Sequence, residues 1–179
     1  MALTTTSAVK AYKALTSTDL DALIASLVLR ASAAIETHLS RKIESGAVIE
    51  YRDGNNGVTL PLREFPVSAV SAVYIDGQLI PSGGFTQAGW RLSGRMLVLN
   101  GFRFTVGSGN VQVNYTAGYA VVPPDIEQAA IETVLLMIER RSHIDVSSKS
   151  LAGETISFIT AEITPSSQRL LAPHRRVAP

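Results

Sequence analysis

With 179 residues, 46% of them hydrophobic and only 17% charged, the chain has material for a sizeable core and few groups to solvate a surface. That imbalance leans towards a protein that buries surface against neighbours. A net charge of +1 makes no electrostatic case for nucleic-acid binding, and the lack of cysteine excludes disulfides, thiolate catalysis and cysteine-ligated metals.

The opening MALTTTSAVK has no basic stretch leading into an apolar one, so no secretory signal is expected. No apolar run approaches the ~20 residues of a membrane span. Residues 7–15 suit a short helix with Val9, Tyr12 and Leu15 near one side. Thr18 is the predicted N-cap of a longer helix, with Asp21 three residues on in a capping-box-like arrangement. Leu20, Leu23, Ile24, Leu27, Ala31, Ala34, Ile35, Leu39 and Ile43 then trace one stripe at helical spacing, and Gly46 is the predicted stop.

The texture changes at Ala47. Up to Ala120, β-branched residues alternate with turn signals at residues 53–57, Asp76–Gly77 and Asn100–Gly101. Strands are predicted at 48–52, 58–62, 69–75, 95–99 and 110–116, with a weaker one at 102–106, giving an antiparallel sheet or barrel of about five or six strands. The last strand, with Val111, Val113 and Tyr115 alternating against Gln112 and Asn114, runs through Gly118 to Pro123 and Pro124, which block further sheet. Asp125 suits a helix start, and Ile126, Ala129, Ala130, Val134, Met137 and Ile138 recur at helical spacing up to Arg140 and Arg141. Residues 145–150 read as a polar linker and 155–163 as strand-like. A short helical turn after Pro165 carries Leu170 and Leu171 and ends at Pro173. The expected architecture is α+β: a helical part (1–46), an inserted antiparallel β-module (47–120), a second core helix packed on the first (121–144), and a linker with an extended C-terminal arm (145–179).

Catalytic constellations are missing. His38, His143 and His174 lie in separate segments without metal-ligand spacing, and His38 and His143 suit helix C-termini as cations. No nucleophile-elbow motif exists. Gly107–Ser108–Gly109 lacks the Lys–Ser/Thr of a phosphate loop and runs into a strand, so it reads as a turn. Glu36 with Glu44 and Glu132 with Glu139 read as solvated or ion-paired helix surface. No catalytic residue, metal or cofactor is expected.

One family matches the order of the motifs. Tyr115, Ala117–Gly118–Tyr119, Pro124–Asp125–Ile126, the Ala-rich helix and its closing Arg141 resemble the head-tail connector (adaptor, head-completion) proteins of tailed bacteriophages. So do HLSRKI at 38–43, LPLREFPVSAVSAVYIDG at 60–77 and LLAPHRR at 170–176. The resemblance spans nearly the whole chain. It implies a non-enzymatic virion protein at the head-tail junction, assembled in the host cytoplasm. It would form a ring, often of twelve subunits in this family, beneath the portal protein. The ring would extend the DNA channel without sequence-specific binding and meet the next connector, stopper or tail protein; no membrane is involved. Ring contacts are expected on the long helices, at Leu20, Leu27, Ile35, Ile126, Val134, Met137 and Arg141. Portal contacts are expected on the arm, at Ile156, Phe158, Ile159, Ile163, Leu170, Leu171, Arg175 and Arg176. In that arm the apolar residues would add a strand or dock in a pocket, and the arginines would meet acids. The alternative is a monomeric β-module binding protein, for carbohydrate for example, with Trp90 and Tyr74 on its ligand face.

Overall fold

In a computed structural model, residues 2–141, 148–151, 154–157 and 163–176 are described; side chains of the 148–151 and 154–157 segments are not. The chain forms two compact units, Met1–Arg41 with Val122–Pro179, and Lys42–Val121.

The first unit is helical. Helix α1 (Thr6–Tyr12) is capped by Thr5, whose Oγ1 accepts from the Ala8 N–H at 3.2 Å. Helix α2 (Asp21–Leu39) begins later than the capping-box reading predicts. Thr18 instead accepts the Asp21 N–H through its carbonyl at 3.1 Å, and Leu20 takes the N-cap position without a side-chain cap. Asp21 turns its carboxylate to Lys10 of α1, 2.8 Å away. The helix stops at Ser40, left-handed at φ 55°, well before Gly46, so Ile43 lies beyond it. Helix α3 (Pro124–Arg140) starts as predicted, with Pro124 in its first turn and Asp125 Oδ1 accepting the Ile126 N–H at 3.0 Å.

The apolar stripes of these helices meet. Val9, Ile24, Leu27, Val28 and Ala31 bury against Ile131 and Val134, with Leu23, Met137 and Ile138 packed around them. By length and composition alone α2 is apolar enough to cross a membrane, but its stripe is taken up by this core. Strands β8 (Ser148–Leu151) and β9 (Glu154–Ser157) pair antiparallel, so part of the predicted linker is strand. Helix α4 (Pro165–Leu171) passes into a 3₁₀ turn, Ala172–His174, that includes Pro173.

The second unit has seven strands where five or six are predicted: β1 (Gly46–Gly54), β2 (Thr59–Pro61), β3 (Val67–Ile75), β4 (Gln78–Ile80), β5 (Gly89–Ser93), β6 (Met96–Asn100) and β7 (Gly107–Ala117). They form a four-stranded sheet ordered β1-β7-β3-β4 and a three-stranded sheet ordered β2-β6-β5, both antiparallel. Asp76 and Gly77, at φ 51° and 78°, make the two-residue β3–β4 hairpin that their sequence signals. Residues 102–106 are a loop rather than a strand. Their backbone is satisfied outside any ladder, the Phe104 N–H donating to Gly57 (2.9 Å) and its carbonyl accepting from Asn56 (2.7 Å).

Between the sheets lie Leu60, Leu97 and Leu99 from one and Val73, Val111, Val113 and Tyr115 from the other. A carboxylate joins them. Glu50 is 6% exposed; its Oε2 accepts from the Tyr115 hydroxyl at 2.5 Å and from the Arg63 N–H at 3.1 Å. Its Oε1 stands 3.6 Å from Arg52 Nη1 and 3.7 Å from Arg63 Nε, in ion-pair range but too far for a hydrogen bond.

Where β7 leaves the sheet, Gly118 has φ 108°, and a Cβ built there would sit 2.4 Å from the Glu44 carbonyl oxygen. The close approach comes from a parallel bridge between Glu44 and Tyr119, whose N–H donates to Ile43 at 2.8 Å. Gly118→Ala should therefore lower stability by about 1–3 kcal/mol, since strain and clash coincide. Denaturant midpoints of the full-length chain test this, and an unchanged midpoint refutes it.

Candidate functional site

The C-terminal stretch 163–176 carries five of the eight predicted portal-contact residues, and its geometry follows from local signals. Thr164 is the N-cap of α4, its Oγ1 accepting the Ser167 N–H at 3.1 Å, with Pro165 in the first turn. This short helix lies along α3, where Glu132 gathers its first turn. Glu132 Oε2 accepts from Ser166 Oγ at 2.9 Å and Ser167 Oγ at 2.8 Å, while Oε1 accepts from Gln128 Nε2 at 3.1 Å. Burial works to raise the Glu132 pKa, but the donors Gln128, Ser167, Ser166 and Thr164 outweigh it, and the net direction is down.

Two further contacts secure the end of the stretch. His174 Nε2 lies 2.6 Å from Asp125 Oδ2 at the start of α3. Burial also works to raise the Asp125 pKa; the hydrogen bond and charge of His174, with backbone donors, bring it below its ordinary value. The Arg176 N–H donates at 3.1 Å to the Leu39 carbonyl, one of the acceptors left unpaired at the end of α2. A cleft of about 370 Å³, lined by Ala34, Thr37, His38, Ile163 and Gln168, opens beside α2.

The arm residues are thus divided. Ile163 and Leu171 are buried, at 5% and 0% exposure, and Leu170 is half-buried. Arg175 is exposed; Arg176 is half-buried. Ile156 sits in β9, while Phe158 and Ile159 lie outside the described residues.

On the long helices, Leu27, Ile35, Ile126 and Val134 are core residues, so as the chain stands their side chains are not open to a neighbour. A helix stripe marks what a helix buries, and here the partner is the chain itself. Met137 is half-buried, Leu20 borders on exposure, and Arg141 is exposed; Leu29, at 61%, is the open apolar position on α2 that the stripe omits.

His143 lies outside the described residues, and among those described no three His, Asp or Glu side chains gather as a metal site. Gly107–Ser108–Gly109 opens β7, and the Gly109 N–H donates to the chain's own Asp53 at 2.6 Å. Trp90 pairs across β5–β6 with the buried Leu99 and packs on the core, whereas Tyr74 lies on the outer face of the other sheet. The two aromatics of the carbohydrate reading share no face.

Comparison with known proteins decides the family. The family described as head completion protein matches residues 2–177. The chain belongs to the head completion protein family. That membership makes it a structural protein joining head to tail. Comparison with curated proteins gives no significant match.

Among solved structures, this head completion protein has the fold of a chain in the neck of a native gene transfer agent particle computed with C12 symmetry. The TM-score is 0.55 at 22% identity, covering 89% of this chain and 85% of that one. A chain in the neck of the empty particle, computed with C6 symmetry, gives a TM-score of 0.53 at 21% identity, over 92% and 82%. One in the virion of the native particle gives 0.52 at 21%, over the same shares.

Proposed function

We propose that this head completion protein acts without catalysis, as one subunit of a ring at the head-tail junction of the virion. The ring is seated on the portal protein, lengthens the DNA channel, and offers its far side to the next connector, stopper or tail protein. The family match across residues 2–177 carries this reading, and the likeness to chains in necks computed with C12 and C6 symmetry supports a ring, of twelve in the first instance. Closed rings arise from head-to-tail contacts whose rotation closes. The DNA passes through such a lumen without being read.

In this reading the β-unit is an insertion into the helical body and residues 145–179 form the portal-facing arm. Arg175 and Arg169 are exposed cations of the described part of this arm, and Arg175 lies at its far end. Ile163 and Leu171, being buried, reach a partner only if the stretch leaves α3, whereas Leu170 is half-buried. Negative-stain imaging of the protein alone and mixed with portals tests the assembly: rings should cap the portals, and portals that stay bare refute it. Arg175→Glu should weaken portal binding on the order of tenfold, ~1.4 kcal/mol, with an unchanged melting temperature. Binding at the unaltered strength removes Arg175 from the contact.

A further inference from the structure

We infer that the outer face of the four-stranded sheet is a contact between neighbouring copies of this chain within the ring. The inference rests on the ring reading above. Register places Tyr51, Gln112, Tyr74 and Leu79 side by side in one row across all four strands, and Ile49, Asn114 and Ala72 in the next. Directly opposed residues share a face, so these seven side chains form one surface.

None of them is charged, and Ile49, Tyr51 and Leu79 are 62%, 59% and 62% exposed. An antiparallel sheet with one face in water ordinarily turns polar residues outward. Here β1 does the reverse, burying Glu50 and showing Ile49 and Tyr51. An exposed apolar face backed by a buried carboxylate is the wrong way round for a surface that stays wet.

Chemistry and size point to the occupant. The Gln112 Nε2 donates to Asn114 Oδ1 at 2.9 Å, so the two amides partly satisfy each other. The rest of the face is aliphatic and aromatic, and its most exposed positions include Ile49 and Leu79, which offer a small polar or charged ligand neither a hydrogen bond nor a charge. With strands ~4.8 Å apart and outward residues ~6.8 Å apart along each strand, the two rows cover roughly 300 Å². A stable pair buries ~800 Å² on each partner. The face is too small to hold a dimer alone and is of the right order for one part of a ring contact. In the proposed ring, other surfaces would hold the copies side by side and raise their effective concentration.

The test uses the full-length chain assembled on portals. A benzophenone amino acid is placed at Leu79, and in a second preparation at Leu29 on α2 as a reference. Illumination at Leu79 should yield covalent pairs of this chain, with the joined peptide mapped by mass spectrometry. Leu79→Glu should lower ring occupancy at least tenfold at limiting concentration without moving the melting temperature. Rings visible by negative stain whose Leu79 probe joins another polypeptide or none, or that form equally well with Leu79→Glu, overturn the inference and leave the ring reading intact. Portals that remain bare with the unaltered chain overturn the ring reading itself.

Discussion

Glu50→Ala is expected to lower the stability of the β-unit by about 3–5 kcal/mol, the range found when one member of a buried charged group is removed. The carboxylate receives the Tyr115 hydroxyl and the Arg63 N–H and faces two guanidinium groups. Its loss leaves the Tyr115 hydroxyl, the Arg63 N–H and the largely buried Arg52 guanidinium around a cavity, while the half-exposed Arg63 guanidinium keeps access to water. Tyr115→Phe removes both the donor to Glu50 and the oxygen that accepts the Glu64 N–H at 3.2 Å. That change should cost about 1–3 kcal/mol.

The phenol also gives the pH dependence a sign. Burial first, then the hydrogen bond to Glu50, raise the Tyr115 pKa, against the opposing Glu64 N–H. The fold therefore holds the protonated phenol. Its contribution is complete below about pH 10, where tyrosine in an unfolded chain ionises, and is lost as pH rises beyond that point. Tyr115→Phe should flatten this alkaline loss. Urea titrations followed by Trp90, the chain's single tryptophan and part of this unit, provide the measurement. A Glu50→Ala midpoint within 1 kcal/mol of the unaltered protein would dismiss the carboxylate as a structural centre.

Glu50 also shows where sequence reasoning runs out. The alternation at residues 48–52 announces a strand but, by hydropathy, would send Ile49 and Tyr51 inward. Pairing with β7 fixes the opposite face, because Val48, Glu50 and Arg52 stand opposite Tyr115, Val113 and Val111, which line the core. A strand's period is local; the side it presents is decided by a partner far along the chain.

The two long helices and the turn into α3 were legible because stripe, proline and acidic first turn agree there. Strands β4 and β5 were not, being three residues long in one case and interrupted by Gly89 and Arg91 in the other. Thr18 looked like a cap, yet its carbonyl rather than its hydroxyl meets Asp21. The apolar character of Ile163 and Leu171 is plain in the sequence. Ile163 and Leu171 are nonetheless buried, in a stretch that also bonds Glu132 and Asp125 more than thirty residues upstream, and no local pattern reports it.

Glu132→Ala is accordingly expected to free the stretch 163–176 from α3. The carboxylate accepts both serine hydroxyls of the first turn of α4, charge-assisted bonds in a half-buried place, and their combined loss should cost about 1–3 kcal/mol of local stability. α4 is only seven residues long, too short to persist as an isolated helix, so undocking and unwinding should coincide. Glu132→Gln, which keeps an acceptor but not the charge, should fall between. Acid should act in the same direction. The pKa of Glu132 and that of Asp125 are both depressed in the fold, so their contribution is present above the ordinary carboxylate range and is lost as pH falls through their lowered values. Hydrogen exchange over residues 163–176 reads both effects: protection should drop in Glu132→Ala at neutral pH, while the α2–α3 core stays protected. Should those amides exchange as slowly in the variant as in the unaltered chain, the apolar anchors Ile163 and Leu171 hold the stretch unaided, and the serine–glutamate contact is only an accompaniment to their burial.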